Sequence, residues 1–401
     1  METTLRINTP SFYSKSARIG LLPAVLLATF GLTSCSLSSE DLRTIAERTQ
    51  AREYARIILD EHLEPYGGLE GIRNISTLRE LLELLSVVIE EVWGEDESEV
   101  PSEKRFVKYS NAYQARAIID FERGYLQVET IDEANPIEQL QQAVVLTLLT
   151  PKNITVEDIF TDVEPELGDE PFLYEQVLDH DGEAIRYMWR AERFAAFLTN
   201  NHLQTRTSEG RNIHSVRVDL VDNHLHLRQL QFSDSVLRHS RAYDIAPSLV
   251  YSVIEIESAF NPYAVSPANA LGLMQVVPST AGRDVFERIK GQSGEPTREQ
   301  LFVPDFNVDI GTGYLHLLDQ IYLNRITHPQ SRTWAKIAAY NGGMGAVFRT
   351  FGSTQDQALQ EINRLTPEQV YQRLIQRHPF AETRNYVQRV RGVMPKYQTP
   401  G

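Results

Sequence analysis

The chain has 401 residues, enough for two or three domains, and its 42% hydrophobic content excludes an intrinsically disordered chain. A net charge of −15 argues against a duplex nucleic-acid partner, whose phosphates would need clustered cations. The charge is uneven: residues 241–401 hold 16 Lys+Arg and 14 Asp+Glu, whereas residues 1–240 hold 23 and 40. That break places a domain boundary near 240 and leaves a near-neutral second half able to approach an acidic polymer.

At the N-terminus, Lys15 and Arg18 precede the apolar run IGLLPAVLLATFG, from Ile19 to Gly31. The run is too short to span a bilayer and reads as a secretory signal peptide. Leu32-Thr33-Ser34-Cys35 is similar to the lipobox of bacterial lipoproteins, which implies that Cys35 becomes the lipidated first residue of the mature chain. Cys35 is the only cysteine, so no intramolecular disulfide forms. Ser36 rather than Asp follows it, which by the same resemblance implies the periplasmic face of the outer membrane of a Gram-negative bacterium. Acyl chains on one residue then anchor the protein without a transmembrane helix. The expected organisation is a signal peptide over 1–34, a lipidated N-terminus and tether over 35–46, an α+β domain over 47–240 and a mainly α, catalytic domain over 241–401.

From residue 42 onward the pattern predicts a helix over 42–63 and an amphipathic helix over 77–93. An acidic loop follows over 95–103, then two or three antiparallel strands between Phe106 and Ile131. A helix is expected from Pro136 to Leu149 and a hairpin around Asp181-Gly182. Further elements are a helix over 190–201, a strand over 214–221 and a second alternating strand from His224 to Phe232. A helix over 233–243 closes the domain. The strand reading sets His224 and His226 on one face opposite Leu225 and Leu227, a solvated face without a third metal ligand. This half shows no catalytic constellation.

The second half reads as nearly all helix, with helices over 247–260, 278–289, 307–323, 333–340, 344–350, 355–363, 367–376 and 383–394. Their starts are marked by Pro278, Asn307, Thr333, Thr366-Pro367 and Thr383. In the first of them Glu257 continues the apolar stripe of Val250 and Val253, while Glu255 lies on nearly the opposite side. A carboxylate on an apolar face just before a polar loop is suited to be the floor of a cleft.

Four ordered segments carry a family resemblance. Glu257-Ser258-x-Phe260-Asn261-Pro262, then Gly272-Leu273-Met274-Gln275, Ala339-Tyr340-Asn341-Gly342-Gly343 and Tyr386 resemble the motifs of lytic transglycosylases of the soluble type. Asn307-x-x-x-Gly311, with Tyr314-Leu315, matches another family segment. Strings such as LTPKN and RHPFAETRNYV extend the similarity across the mature chain to a membrane-bound branch. The resemblance implies a lysozyme-like helical domain acting on peptidoglycan glycan strands. Asn269 stands where many relatives have Gly, and Asn tolerates positive φ best. Gly342 replaces a common Ala, a change expected to be small. Residues 282–304 are expected to shape one wall of the groove.

Breaking a glycosidic bond near neutral pH needs an acid, and a carboxyl serves only if an apolar site raises its pKa. Glu257 is placed for that; ordinary glycosidases pair two carboxylates, and the motif segments supply no second one. Asp305 and Asp309 are expected to decorate a helix N-terminus. The resemblance implies a substrate-assisted route. The 2-acetamido group attacks its own anomeric carbon, and Glu257 then acts as base on the C6 hydroxyl to close a 1,6-anhydro ring, with no metal or other cofactor. Gln275, Tyr340 and Tyr386 have the chemistry to bind sugar. Asn341 can cap a helix or bind sugar, and Ser258 can bond the acetamido group or local backbone. Two alternatives stand beside this reading: a lysozyme-type hydrolase on the same fold, and a lipoprotein that only binds glycan. Protein partners beyond the glycan are not specified by the sequence.

Overall fold

The computed structural model describes residues 78–152 and 170–398, together with Asp162, Leu167 and Gly168. The lipobox, the tether and the helix expected over 42–63 lie outside the described residues. The chain divides into units 1–42 and 43–401, and every described residue belongs to the second. Among the described residues no helix is long and apolar enough to cross a membrane.

Helix α1 (Leu78–Trp93) leads into a five-stranded antiparallel sheet of order β1-β2-β3-β5-β4. The strands are β1 (Arg105–Ser110), β2 (Ala115–Asp120), β3 (Tyr125–Thr130), β4 (Gln204–Ser208) and β5 (Arg211–Asp219). Every residue of β2 is buried, because both sheet faces are covered. On one face Arg116 and its cross-strand partner Glu129 form a buried ion pair, with the guanidinium 3.9 Å from the Trp93 ring centroid. Helix α2 (Pro136–Leu149) lies over β2, β3 and β5 and packs against α3 (Met188–Asn201).

Three sequence expectations change here. The hairpin around Asp181-Gly182 is reduced to a single bridge, Leu178 to Ala184. Its turn is organised by the Asp179 carboxylate, which accepts the backbone N–H of Asp181 and Glu183 and pairs with Arg190. Strand β4 was not expected: QTRTS has no apolar alternation because it is an exposed edge. The segment from His224 is not a strand but helix α4 (His224–Gln231). Leu225, Arg228 and Phe232 form its inward stripe at helical spacing, and the middle member is an arginine that is fully buried. An arginine in a core position disguises the helical period, and the alternating His and Leu then read as a strand.

Helix α5 (Ser233–Tyr243) leads to α6 (Pro247–Ser258), which begins at Pro247 as expected. It ends earlier than the sequence suggested, where Ala259 and Phe260 both take left-handed φ values of 51° and 62°. After a helical stretch over 278–290 come α7 (Pro304–Leu317), α8 (Pro329–Gly342), α9 (Met344–Phe351) and α10 (Gln355–Arg364). Helices α11 (Pro367–Arg377) and α12 (Ala381–Val393) follow, then a tight turn over Met394–Tyr397. Helix α8 is the hub, contacting α9, α11 and α12, while α6 packs against α5, α12 and the final turn. The whole is an α+β region followed by a mainly α one, as the patterning indicated. Helices α7 and α8 start at Pro304 and Pro329, a turn before the expected Asn307 and Thr333, because proline at the first position needs no N–H partner. Asp305 and Asp309 do not simply decorate α7: Asp305 bonds Ser235 and His239, and Asp309 bonds Tyr243 and Lys290, tying α7 to α5 and the 278–290 stretch.

Candidate active site

Glu257 lies in the last turn of α6, on the floor of a cavity of about 730 Å³. Burial is the main reason its carboxyl is pushed up to about 8; the charges of Glu382 and Glu103 add to this, while the Tyr386 hydroxyl and Arg389 pull it down. At neutral pH this carboxyl is protonated and can donate to an oxygen. Glu255 points elsewhere, bonded to the Lys396 ammonium at 3.0 Å and to the Tyr397 hydroxyl, behind the helix.

The motif residues divide into those that reach the cavity and those that build its support. Tyr386 on α12 lines the cavity, and its buried hydroxyl forms no complete hydrogen bond among the described residues. Burial and the neighbouring Glu257 hold the Tyr386 and Tyr340 hydroxyls well above their ordinary pKa, so both stay protonated donors. Tyr340 donates to the Met274 carbonyl at 2.8 Å, and its ring lies 5.7 Å from Tyr314. Gln275 takes a left-handed φ of 48° and donates to the Gly272 carbonyl at 3.1 Å. That leaves its Oε1 buried with no hydrogen-bond partner among the described residues, and Gln275 is not among the residues that line the cavity. Met274 is fully buried against Gly311, so it packs the wall. Asn269 adopts φ 62°, the left-handed turn that Asn was expected to tolerate.

Ser258 is fully buried and does not line this cavity; its hydroxyl is shared between the carbonyls of Ile254, at 3.0 Å, and Leu273, at 2.8 Å. It therefore joins α6 to the 272–275 loop through backbone, the second of the two roles open to it. The same loop is held from α7 by Asn307. This side chain is fully buried, accepts the Met274 N–H and donates to the carbonyls of Leu271 and Leu301, each at 2.8 Å. Asn307 is thus a buried cross-link, not the helix start that the sequence suggested.

Residues 71–231 match the N-terminal domain of membrane-bound lytic murein transglycosylase C, and residues 234–363 match the transglycosylase SLT domain. The membrane-bound lytic murein transglycosylase C of Sodalis glossinidius is 45% identical over 77% of this chain and 87% of its own length. The chain belongs to the membrane-bound lytic murein transglycosylase C family. The corresponding protein of Edwardsiella ictaluri is 44% identical over 82% of this chain and 92% of its own. The 70 kDa soluble lytic transglycosylase of Escherichia coli is 31% identical over 43% of this chain and 25% of that one, with a TM-score of 0.33.

In this lytic transglycosylase the second wall of the cavity was not legible beforehand. It comes from Ser102–Arg105, leading into β1, and from the β2–β3 turn, with Asp120, Glu122, Arg123 and Tyr125. None of residues 282–304, the expected wall, lines it. Strings of charge at a loop and a turn look like solvated surface, and only the antiparallel pairing of β1, β2 and β3 gathers them at one sheet end.

Asn341 also lines the cavity, and it does not cap α8; Gly343, at φ 78°, takes that place. The Thr383 hydroxyl donates to Asn341 Oδ1 at 2.7 Å, which turns the amide nitrogen towards Glu382 at 3.3 Å. Gly342 makes this approach possible. A Cβ there would sit 2.5 Å from Thr383 Oγ1 and 2.7 Å from His378 Cε1, and both neighbours are only 1% exposed. The exchange with alanine is therefore not small. Gly342→Ala is expected to lower stability by about 1–3 kcal/mol through overpacking. Urea denaturation checks this, and an unchanged midpoint would show that the pocket can relax.

Proposed function

We propose that this protein cleaves the MurNAc-(β1,4)-GlcNAc bond of peptidoglycan without water, leaving 1,6-anhydro-MurNAc ends, with Glu257 as acid and then base. The observation that carries the reading is the Glu257 carboxyl, pushed up to about 8 by burial, on the floor of a cavity large enough for sugar rings. Protonated Glu257 gives its proton to the leaving glycosidic oxygen. The 2-acetamido group stabilises the anomeric carbon as the bond breaks. Glu257, now a carboxylate in an apolar setting, is a strong enough base to take the proton of the C6 hydroxyl, and the proton count returns to its start.

Other side chains have supporting tasks. Tyr386 and Asn341 offer donors along the cavity, and Gln275, behind that lining, offers its Oε1 to an acetamido N–H once the 272–275 loop shifts. Tyr340 and Ser258 act one step back, by fixing the Met274 and Leu273 carbonyls. In this reading residues 241–401 carry the acid and 47–240 the opposite wall. Acylated Cys35 holds both at the periplasmic face of the outer membrane, beside the polymer, in support of cell-wall remodelling.

One observation favours a second reading. The carboxylates of Glu103 and Glu382 face the same cavity, and either could orient water for hydrolysis. Digestion of purified sacculi followed by mass spectrometry separates the two. Anhydromuramyl ends are expected; reducing ends would replace the proposal with a hydrolase, and no cleavage at all would leave a glycan-binding lipoprotein.

A further inference from the structure

Arg228 on α4 is fully buried, and among the described residues it forms no ion pair with a carboxylate. A buried cation is costly unless its donors are all engaged. Here each of the three guanidinium nitrogens is engaged once, three of the five N–H groups in all, by neutral oxygens from three separate stretches. Nε donates to the Ala259 carbonyl at 3.2 Å, Nη1 to Gln176 Oε1 at 2.9 Å and Nη2 to the Phe121 carbonyl at 2.8 Å. The guanidinium also stands 4.9 Å from the centre of the Phe121 ring. Gln176, fully buried too, is itself fixed by donating to the Phe172 carbonyl at 2.6 Å.

The places that this one side chain joins matter more than their number. Ala259 is the left-handed residue that ends α6, two positions after Glu257. Phe121 opens the β2–β3 turn, whose next two residues line the cavity wall. A left-handed alanine followed by a left-handed phenylalanine is a costly reversal that persists only where its surroundings over-determine it. The carbonyl of that alanine accepts from Arg228. A cation is also the favourable partner for the carbonyl end of a helix. Burial lowers the pKa of Arg228 to about 9, so it remains charged at neutral pH.

We propose that Arg228 is a positioning residue for the reaction, whose guanidinium sets the spacing between the Glu257 end of α6 and the opposite wall of the cavity. This rests on the reading of Glu257 given above. Lysine keeps the charge but cannot span three acceptors in a planar fork, and methionine keeps the approximate volume alone.

The test uses the full chain and glycan strands as substrate, with wild type, Arg228→Lys, Arg228→Met and Gln176→Met compared per folded molecule by circular dichroism. In Arg228→Met, kcat is expected to fall about tenfold to a hundredfold while KM changes little, because misplacing the acid raises the barrier without removing sugar contacts. Arg228→Lys should recover part of that loss, and Gln176→Met should show a smaller fall. If the variants melt earlier but keep the wild-type kcat when folded, Arg228 is merely structural and the inference is overturned. If Arg228→Met does not fold, wild-type kcat in folded Arg228→Lys and Gln176→Met overturns it equally. Failure of the underlying reading looks different: wild type itself would then release no anhydromuramyl products, whatever the variants do.

Discussion

Glu257→Gln is expected to reduce cleavage of sacculi by about a thousandfold or more, since removing a general acid typically costs 10²–10⁴ and the proposed route uses the same group again as base. The amide fills the same space and can still donate a hydrogen bond, but it cannot transfer a proton in either direction. Release of soluble muropeptides, followed by chromatography, measures the loss. Activity within tenfold of wild type would remove Glu257 from the chemistry.

The same substitution has a second expected effect, on stability. The folded-state pKa of Glu257 is raised to about 8, above the ordinary carboxylate value of 4.5. Between those values the unfolded chain has released a proton that the folded chain still holds. This group therefore costs the fold progressively more as pH rises from about 4.5 towards 8. Glutamine carries no such cost. Glu257→Gln should thus gain on wild type in thermal melts as pH rises from 5 to 8, whereas a constant difference would contradict the raised pKa.

Asn307→Leu is expected to be the most damaging substitution away from the acid. It removes one acceptor and two donations, stranding the Met274 N–H and the Leu301 carbonyl in a fully buried site, while the Leu271 carbonyl keeps the Val276 N–H. Each stranded group costs about 1–3 kcal/mol, so the two together cost about 2–6 kcal/mol, a large part of the usual 5–15 kcal/mol of a fold. Gly272 leaves no room for escape, because a Cβ there would meet Asn307 Nδ2 at 2.4 Å. Denaturant titration of the folded fraction tests the figure, and a loss below about 1 kcal/mol would show that water or a rearranged loop replaces the amide. Cleavage should fall as well, since Gln275 and the carbonyl that receives Tyr340 belong to this loop.

Much of this was legible beforehand, for identifiable reasons. Helices α2 and α6 begin at proline, and α11 begins with a Thr366–Gln369 capping box, all of which are local signals. Glu257 stood out because its apolar neighbours share one helical face. The misreadings that bear on the site involve residues whose partners are remote. Arg228 occupies a core position only because three carbonyls from elsewhere converge on it. Asn307 resembles a helix start until the loop that it holds is folded beside it. Glu103 and Glu122 resemble surface until a sheet end and a helix end close around one space. Periodicity reports which face of an element is apolar; it does not report what that face will meet.

The two family matches meet between residues 231 and 234, a seam at which inheritance could cut the chain cleanly. The working parts do not respect it. Arg228 and Glu103 lie before the seam, and what they bond, Ala259 and Asn261, lies after it. Tyr263 likewise reaches back to the Pro151 and Lys152 carbonyls. A chimera joined at 232 or 233 would carry the acid into its new setting but leave behind the facing wall and the ties that hold both. The two halves are therefore matched as a pair, and any new partner for either must offer the same carbonyls and donors across the seam.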